Sequence, residues 1–296
     1  MPLRRDPLRV ALQVALYVFL YIATAWVCGP LFLWVGDYLL GITATGLVAA
    51  CFANWLAMRI YEQRPLVAVG LGWNPDSIRN LGWGILGGMG AAALVLAPPL
   101  AVGAAHIRDL AGVTTHIRTL GYVTVLLLFG SAGEEILFRG FGFQVLLRAL
   151  GPAATIFPVG VIFAVLHTAN PNATLLGLAN TAGFGILFGY AFLRSRDLWL
   201  PIGLHFGWNF TLPLFGVNVS GLKIDMTGYT MEWVAGPLWS GGAYGPEASI
   251  LTSLAFVALG AYLWKAPLRR QASFLTDPPL EILPCDPGPQ LPPSSP

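Results

Sequence analysis

Gly133-Glu134-Glu135-Ile136-Leu137-Phe138-Arg139-Gly140 places two acids and a guanidinium inside a run that otherwise reads as membrane-spanning. Upstream, Tyr122-Val123-Thr124-Val125-Leu126-Leu127-Leu128-Phe129 carries no charge, and downstream Phe141-Gly142-Phe143-Gln144-Val145-Leu146-Leu147 carries none either. A charge at the bilayer centre costs about 2.5–3.5 kcal/mol, so three would cost on the order of 8–10 kcal/mol if nothing compensated them. Packing does not justify such a cost, and the default reading is a buried functional site. On a helix Glu135 and Arg139 stand one turn apart on one face, with the acid N-terminal to the base, the better order for a pair. Glu134 is rotated about 100° from Glu135. It is the acid less committed to Arg139 and the freer one for chemistry.

The rest of the chain supports a membrane setting. Of 296 residues, 56% are hydrophobic and 10% charged, with a mean hydropathy of +0.68. Soluble domains carry about 25% charged residues. The fold class is therefore all-α, a polytopic membrane protein of about eight transmembrane helices. The spans fall near residues 10–34, 38–58, 82–104, 120–147, 152–168, 174–193, 198–216 and 248–264. The first follows Arg4, Arg5 and Arg9 and is too long for a signal-peptide core, so it reads as a retained span. Eight spans put both termini on one side. Most of the Arg and Lys residues between and beyond the spans fall on that side, and only Arg108, Arg118 and Lys223 fall on the other. The positive-inside rule then makes both termini cytoplasmic and the protein a multi-pass one, in the plasma or inner membrane if bacterial. A net charge of +2 gives no case for nucleic acid. Membrane lipid is the partner that this composition implies. Cys28, Cys51 and Cys285 are unclustered and have no metal-ligand spacing.

Four segments follow. Residues 1–79 hold two spans and an interfacial stretch, in which Asn74-Pro75-Asp76 reads as a turn or helix start. Residues 80–216 form the core. Residues 217–265 hold a long far-side loop and the last span. Residues 266–296 read as a disordered, Pro-rich cytoplasmic tail. Gly183, Gly185 and Gly189 suggest close helix packing.

Two histidines lie in apolar helices. His167 follows Phe163 by one turn, and His205 precedes Asn209 by one turn, so each pair shares a face. His106 and His116 sit in a polar loop and read as solvated. Two glutamates, two imidazoles and a carboxamide can assemble a hydrolytic centre. Glu134 is the general base for water. The histidines either hold a metal such as Zn²⁺ that acidifies the water, or hydrogen-bond the water and an oxyanion directly. Asn209 offers an oxyanion donor, and Arg139 holds Glu135. The same buried set also suits a proton- or ion-coupled transporter or a non-proteolytic scaffold, although no internal repeat of the transporter kind is visible.

Glu134-Glu135-x-x-x-Arg139, Phe163-x-x-x-His167 and His205-x-x-x-Asn209, in this order on three apolar helices, resemble the motifs of the CPBP (CAAX-processing and bacteriocin-processing, or Abi) intramembrane proteases, relatives of the type II CAAX prenyl endopeptidases. The resemblance covers roughly residues 80–216. It implies an eight-helix fold with a catalytic cavity inside the bundle and an intramembrane endopeptidase of glutamate or metallo type. It gives catalytic roles to Glu134, His167, His205 and Asn209, supporting roles to Glu135, Arg139 and Phe163, and, if a metal is used, ligand roles to His167 and His205. No His-Glu-x-x-His pair lies on one helix. One geometric demand follows. In these spans His167 and His205 differ in nominal depth by roughly 10 Å at 1.5 Å per residue. Tilted or broken helices have to close that gap.

Overall fold

A computed structural model of the chain describes residues 6–35, 37–110 and 114–277. The hairpin of α1 (Pro7–Val35) and α2 (Tyr38–Ala57) turns at Asp37, whose carboxylate accepts from the Leu39 and Leu40 amides. A π-turn at Met58–Glu62 prolongs α2. α3 (Pro75–Ala101) starts where Asn74 caps it by accepting from the Ser77 amide, with Pro75 in the first turn. This is the helix-start reading of Asn74-Pro75-Asp76, with proline where its missing N–H costs nothing. Then come α4 (Ile117–Arg139), α5 (Phe141–Leu150), α6 (Pro152–Leu166), α7 (Leu175–Ser195), α8 (Trp199–Leu214), the single turn α9 (Pro237–Ser240) and α10 (Ile250–Lys265).

Six helical stretches are long and apolar enough to cross a membrane, with α4 and α5 counted as one. α8 and α10 have 16 residues each, about 24 Å of rise. The chain is thus an all-α polytopic membrane protein. α8 is the least lipid-like of them because it is enclosed: Leu200, Ile202, Leu204, Trp208 and Leu212 are all buried. An interior helix has no need of a lipid-facing stripe and can carry polar groups.

α8 lies against α3 at backbone contact. A Cβ placed on Gly203 would stand 2.5 Å from the Leu81 carbonyl oxygen and 3.1 Å from Gly84 Cα. Only glycine permits that approach, the small-residue packing that membrane helices use. α6 and α7 meet in the same way, with a Cβ on Gly185 falling 2.8 Å from Gly160 Cα. The crowding expected around Gly183, Gly185 and Gly189 is present.

Three features depart from the sequence reading. The span near 120–147 is broken at Gly140, where α4 stops and α5 starts. The far-side segments contain an antiparallel pair, β1 (Ala105–Asp109) and β2 (Tyr229–Trp233), with Ala105 opposite Trp233. The expected disordered tail does not begin at 266. Asn80 donates to the Arg269 carbonyl and accepts from its amide at 2.7 and 2.9 Å, the Gln271 amide reaches the Ser195 carbonyl at 2.7 Å, and Leu275 is fully buried. Backbone pairing with a buried asparagine and one apolar anchor hold this stretch down. Arg4, Arg5, Cys285 and the prolines from Pro278 onward lie outside the described residues.

The α3–α8 contact gives a first prediction. Gly203→Leu forces two backbones apart and should destabilise the fold by about 1–3 kcal/mol or more, seen as a lower melting midpoint in detergent micelles. Gly82→Ala, where an added Cβ meets nothing within 4 Å, should leave the midpoint unchanged or higher. Equal midpoints for the two variants would refute the packing argument.

Candidate active site

The site begins with a helix that is made to stop. After Arg139 the α4 ladder ends, and Asn54 from α2 fills the break. Its Oδ1 accepts from the Phe141 amide at 2.7 Å, and its Nδ2 donates to the Ile136 carbonyl at 3.0 Å. The Tyr17 hydroxyl donates to the Leu137 carbonyl at 2.8 Å. Gln144 donates to the Arg139 and Val69 carbonyls at 2.9 and 2.8 Å. These donors satisfy carbonyls that a helix end would otherwise leave bare in the bilayer. A side chain at Gly140 would collide with Asn54 Oδ1 and the Ile136 carbonyl.

The last two turns of α4 carry the charges. Arg139 and Glu135 are fully buried and paired, Nη1 to Oε1 at 3.1 Å. Arg139 Nη2 also donates to the Gly185 carbonyl of α7 at 2.8 Å. The guanidinium lies 5.7, 5.3 and 5.5 Å from the ring centroids of Phe138, Phe163 and Phe188. A cation in lipid is thus met by a carboxylate, a carbonyl and three π faces. The spacing-based pairing of Glu135 with Arg139 is present, and Glu134 stands apart from it.

His205 on α8 donates from Nδ1 to the same Glu135 Oε1, at 3.0 Å. The carboxylate only accepts, so Nδ1 carries the proton and Nε2 is left free. The Phe188 ring stacks on the imidazole at 5.0 Å. His167 reaches the same state by another route. At the end of α6 the chain tightens into a 3-10 turn, His167–Ala169, and the His167 amide bonds to Ala164. The Phe163 carbonyl loses its helical partner, and the His167 ring supplies one, Nδ1 to O at 2.7 Å. Here too Nε2 is free. Phe163 packs against both imidazoles, 4.7 Å from His167 and 6.2 Å from His205.

Both free Nε2 atoms face one oxygen. His167 Nε2 and His205 Nε2 each lie 4.0 Å from Glu134 Oε2, and that oxygen has no hydrogen-bond partner. The depth gap expected from the spans is closed. A cavity of about 20 Å³, room for one water, adjoins the imidazoles and is lined by Phe163, His167, His205, Asn209 and others. Glu134 is not on its wall and is 41% exposed. All seven residues selected by spacing therefore gather at one place.

Six further wall residues, Thr181, Phe184, Phe188, Trp208, Ser220 and Glu247, carry no signal in the sequence. Glu247 sits just before an apolar span, where an acid reads as an ordinary helix-start residue. Burial pushes its carboxyl up, against the Ser220 amide, the Trp208 indole and His167. The donor types match a His₂Glu zinc site. Among the described residues, however, no three His, Cys, Asp or Glu side chains come close enough together to hold a metal ion. The chemistry below is therefore derived without one.

The two acids should separate in a stability assay. Glu135→Ala leaves Arg139 buried and unpaired and should cost about 3–5 kcal/mol, with loss of folded protein in micelles. Glu134→Ala removes a partly exposed group that holds nothing and should cost less than about 1 kcal/mol. The reverse order of melting midpoints would contradict this reading of the pair.

A comparison with curated proteins gives no match. Residues 116–211 match the family model described as type II CAAX prenyl endopeptidase Rce1-like. That stretch contains Glu134, Glu135, Arg139, Phe163, His167, His205 and Asn209. The family implies a protease, a hydrolase with a peptide or protein substrate in a membrane environment. Residues 116–211 are thus similar to an Rce1-like type II CAAX prenyl endopeptidase domain and lie within a multi-pass membrane chain.

Proposed function

We propose that this chain is an intramembrane endopeptidase that hydrolyses one peptide bond of a membrane-associated substrate of CAAX-like or bacteriocin type. The observation that carries the reading is the convergence of two free imidazole nitrogens on the unpartnered Glu134 Oε2, each at 4.0 Å. At that spacing a water molecule can touch all three atoms. The basic residues on the side of the termini support cytoplasmic ends.

Glu134 Oε2 accepts a proton from the water. His167 Nε2 accepts a hydrogen bond from the O–H that the water keeps, which orients the oxygen. The hydroxide oxygen bonds to the scissile carbonyl carbon, and the carbonyl π pair moves onto oxygen. The oxyanion takes a hydrogen bond from the Asn209 amide, beside the His205 ring that Glu135 holds in place. When the intermediate collapses, the C–N bond breaks and the leaving nitrogen takes the proton that Glu134 held. Peptide and water become a carboxylic acid and an amine, and the acid's proton passes to the amine to leave a carboxylate and an ammonium. Glu135 and Arg139 touch no reacting atom. They fix the His205 ring and its tautomer, as a carboxylate does for a histidine in other hydrolytic centres.

Cleavage of a farnesylated CAAX peptide by purified protein tests this. Glu134→Ala should lower kcat by roughly 10²–10⁴, and Asn209→Ala by roughly 10²–10³, with the folded fraction retained in both. Undiminished cleavage by Glu134→Ala would end the assignment. Stripping metal with a chelator should leave activity in place. Loss of activity restored by Zn²⁺ alone would instead make His167 and His205 metal ligands.

A further inference from the structure

The long segment after α8 is a fixed wall of the site. Its Gly221 has φ +83°, and a side chain there would strike the Pro171 carbonyl in the turn that follows His167. Asn170, three residues after His167, donates from Nδ2 to the Ser220 carbonyl at 3.1 Å. The other side of the same residue, the Ser220 amide, donates to Glu247 Oε2. Glu247 Oε1 accepts from the Trp208 indole on α8 at 3.1 Å. Trp208 is the neighbour of Asn209 and lies one turn from His205. The Glu247 backbone is pinned in turn, its carbonyl accepting from Asn180 of α7 at 2.8 Å.

Read in order, these bonds connect the turn that carries His167 to the helix that carries His205 and Asn209. We propose that Glu247 is a positioning residue of this site, the strut whose carboxylate sets the separation between the His167 turn and the His205–Asn209 face of α8. Two N–H donors converge on the side chain from opposite elements. A carboxylate answers both, one oxygen to each. An amide of equal shape has one acceptor and one donor, so one of its ends would meet N–H with N–H. Glu247 is 5% exposed, and a buried group loses more from one mismatched partner than a surface group does. Phe163 packs against both imidazoles, and the strut adds the hydrogen-bonded tie between the His167 turn and α8.

The kinetic arm of the test rests on the endopeptidase reading, and a second arm does not. Full-length protein in micelles is assayed with a farnesylated CAAX peptide and, separately, by hydrogen–deuterium exchange. Glu247→Gln should lower kcat per folded molecule roughly 10- to 100-fold, as a displacement of about 1 Å can, with KM within about threefold. Glu247→Asp, which keeps both acceptors, should recover part of the loss. Trp208→Phe should act in the same direction, and the double variant should be no worse than Glu247→Gln alone. Exchange in Glu247→Gln should quicken over 167–173 and 205–210 together, with α1 and α2 unchanged. An exchange rise confined to 217–249, or unchanged kcat per folded molecule, would overturn the proposal. A wild type that cleaves none of the peptide counts against the endopeptidase reading, while the exchange arm still decides the strut.

Discussion

A guanidinium with no exposed surface, held among helices in lipid, constrains the rest of this site. Arg139 cannot shed its proton at any accessible pH, so its surroundings have to answer the charge. They do so from three directions: Glu135 on its own helix, the Gly185 carbonyl on α7, and the faces of Phe138, Phe163 and Phe188. Each contact places a different element relative to α4. One oxygen carries the consequence into the chemistry. Glu135 Oε1 takes both the Arg139 guanidinium and the His205 Nδ1–H. The position of the imidazole is therefore fixed by the group that neutralises the cation. A buried ion pair is weak evidence for stability. Its value here lies in geometry, because the triad leaves His205 one tautomer and one free nitrogen.

What the sequence shows of this arrangement is its one-turn spacings. Glu135 with Arg139, Phe163 with His167 and His205 with Asn209 each obey the helical neighbour rule, and that rule needs no knowledge of the fold. Even so, the Phe163–His167 pair works differently from a shared face. The bond that fixes His167 runs to the Phe163 carbonyl, freed by the 3-10 turn, and only the end of the helix reveals it. The break at Gly140 is not legible, because its donors and acceptors come from Asn54, Tyr17 and Gln144. Two of these lie more than eighty residues away. Glu247 is hidden for the same reason. Its partners, Ser220 and Trp208, become neighbours only when the far-side loop is folded. The β1–β2 pair and the docked stretch after α10 are likewise products of tertiary contact in segments with weak local patterning.

The two histidines, apart in nominal depth, meet at one carboxylate, and the 3-10 turn at His167–Ala169 together with close backbone packing accompanies that meeting. Nominal depth assumes helices that run parallel to the membrane normal at ordinary separation. Gly203 brings α8 onto the backbone of α3, and Gly160 and Gly185 bring α6 onto α7, closer than side chains allow. α6 ends at Leu166, and the 3-10 turn that follows redirects His167. The glycines therefore act on function at one remove. They permit the close α3–α8 and α6–α7 approaches on which the helices bearing His205 and His167 are mounted.

A site built this way has two unlike sides. On one, the far-side segment closes the wall with Ser220 and Glu247, and the space left beside the imidazoles is about 20 Å³, enough for a water and too small for a peptide. On the other, Glu134 is 41% exposed and its Oε2 has no partner within the protein. The Glu134 side is the half-exposed edge of the site, and the opposite wall is filled by hydrogen-bonded structure. The two acids divide the charges between them: Glu135 and Arg139 spend theirs on each other and on His205, and Glu134, whose buried Oε2 faces the two imidazole nitrogens, stays outside that pairing.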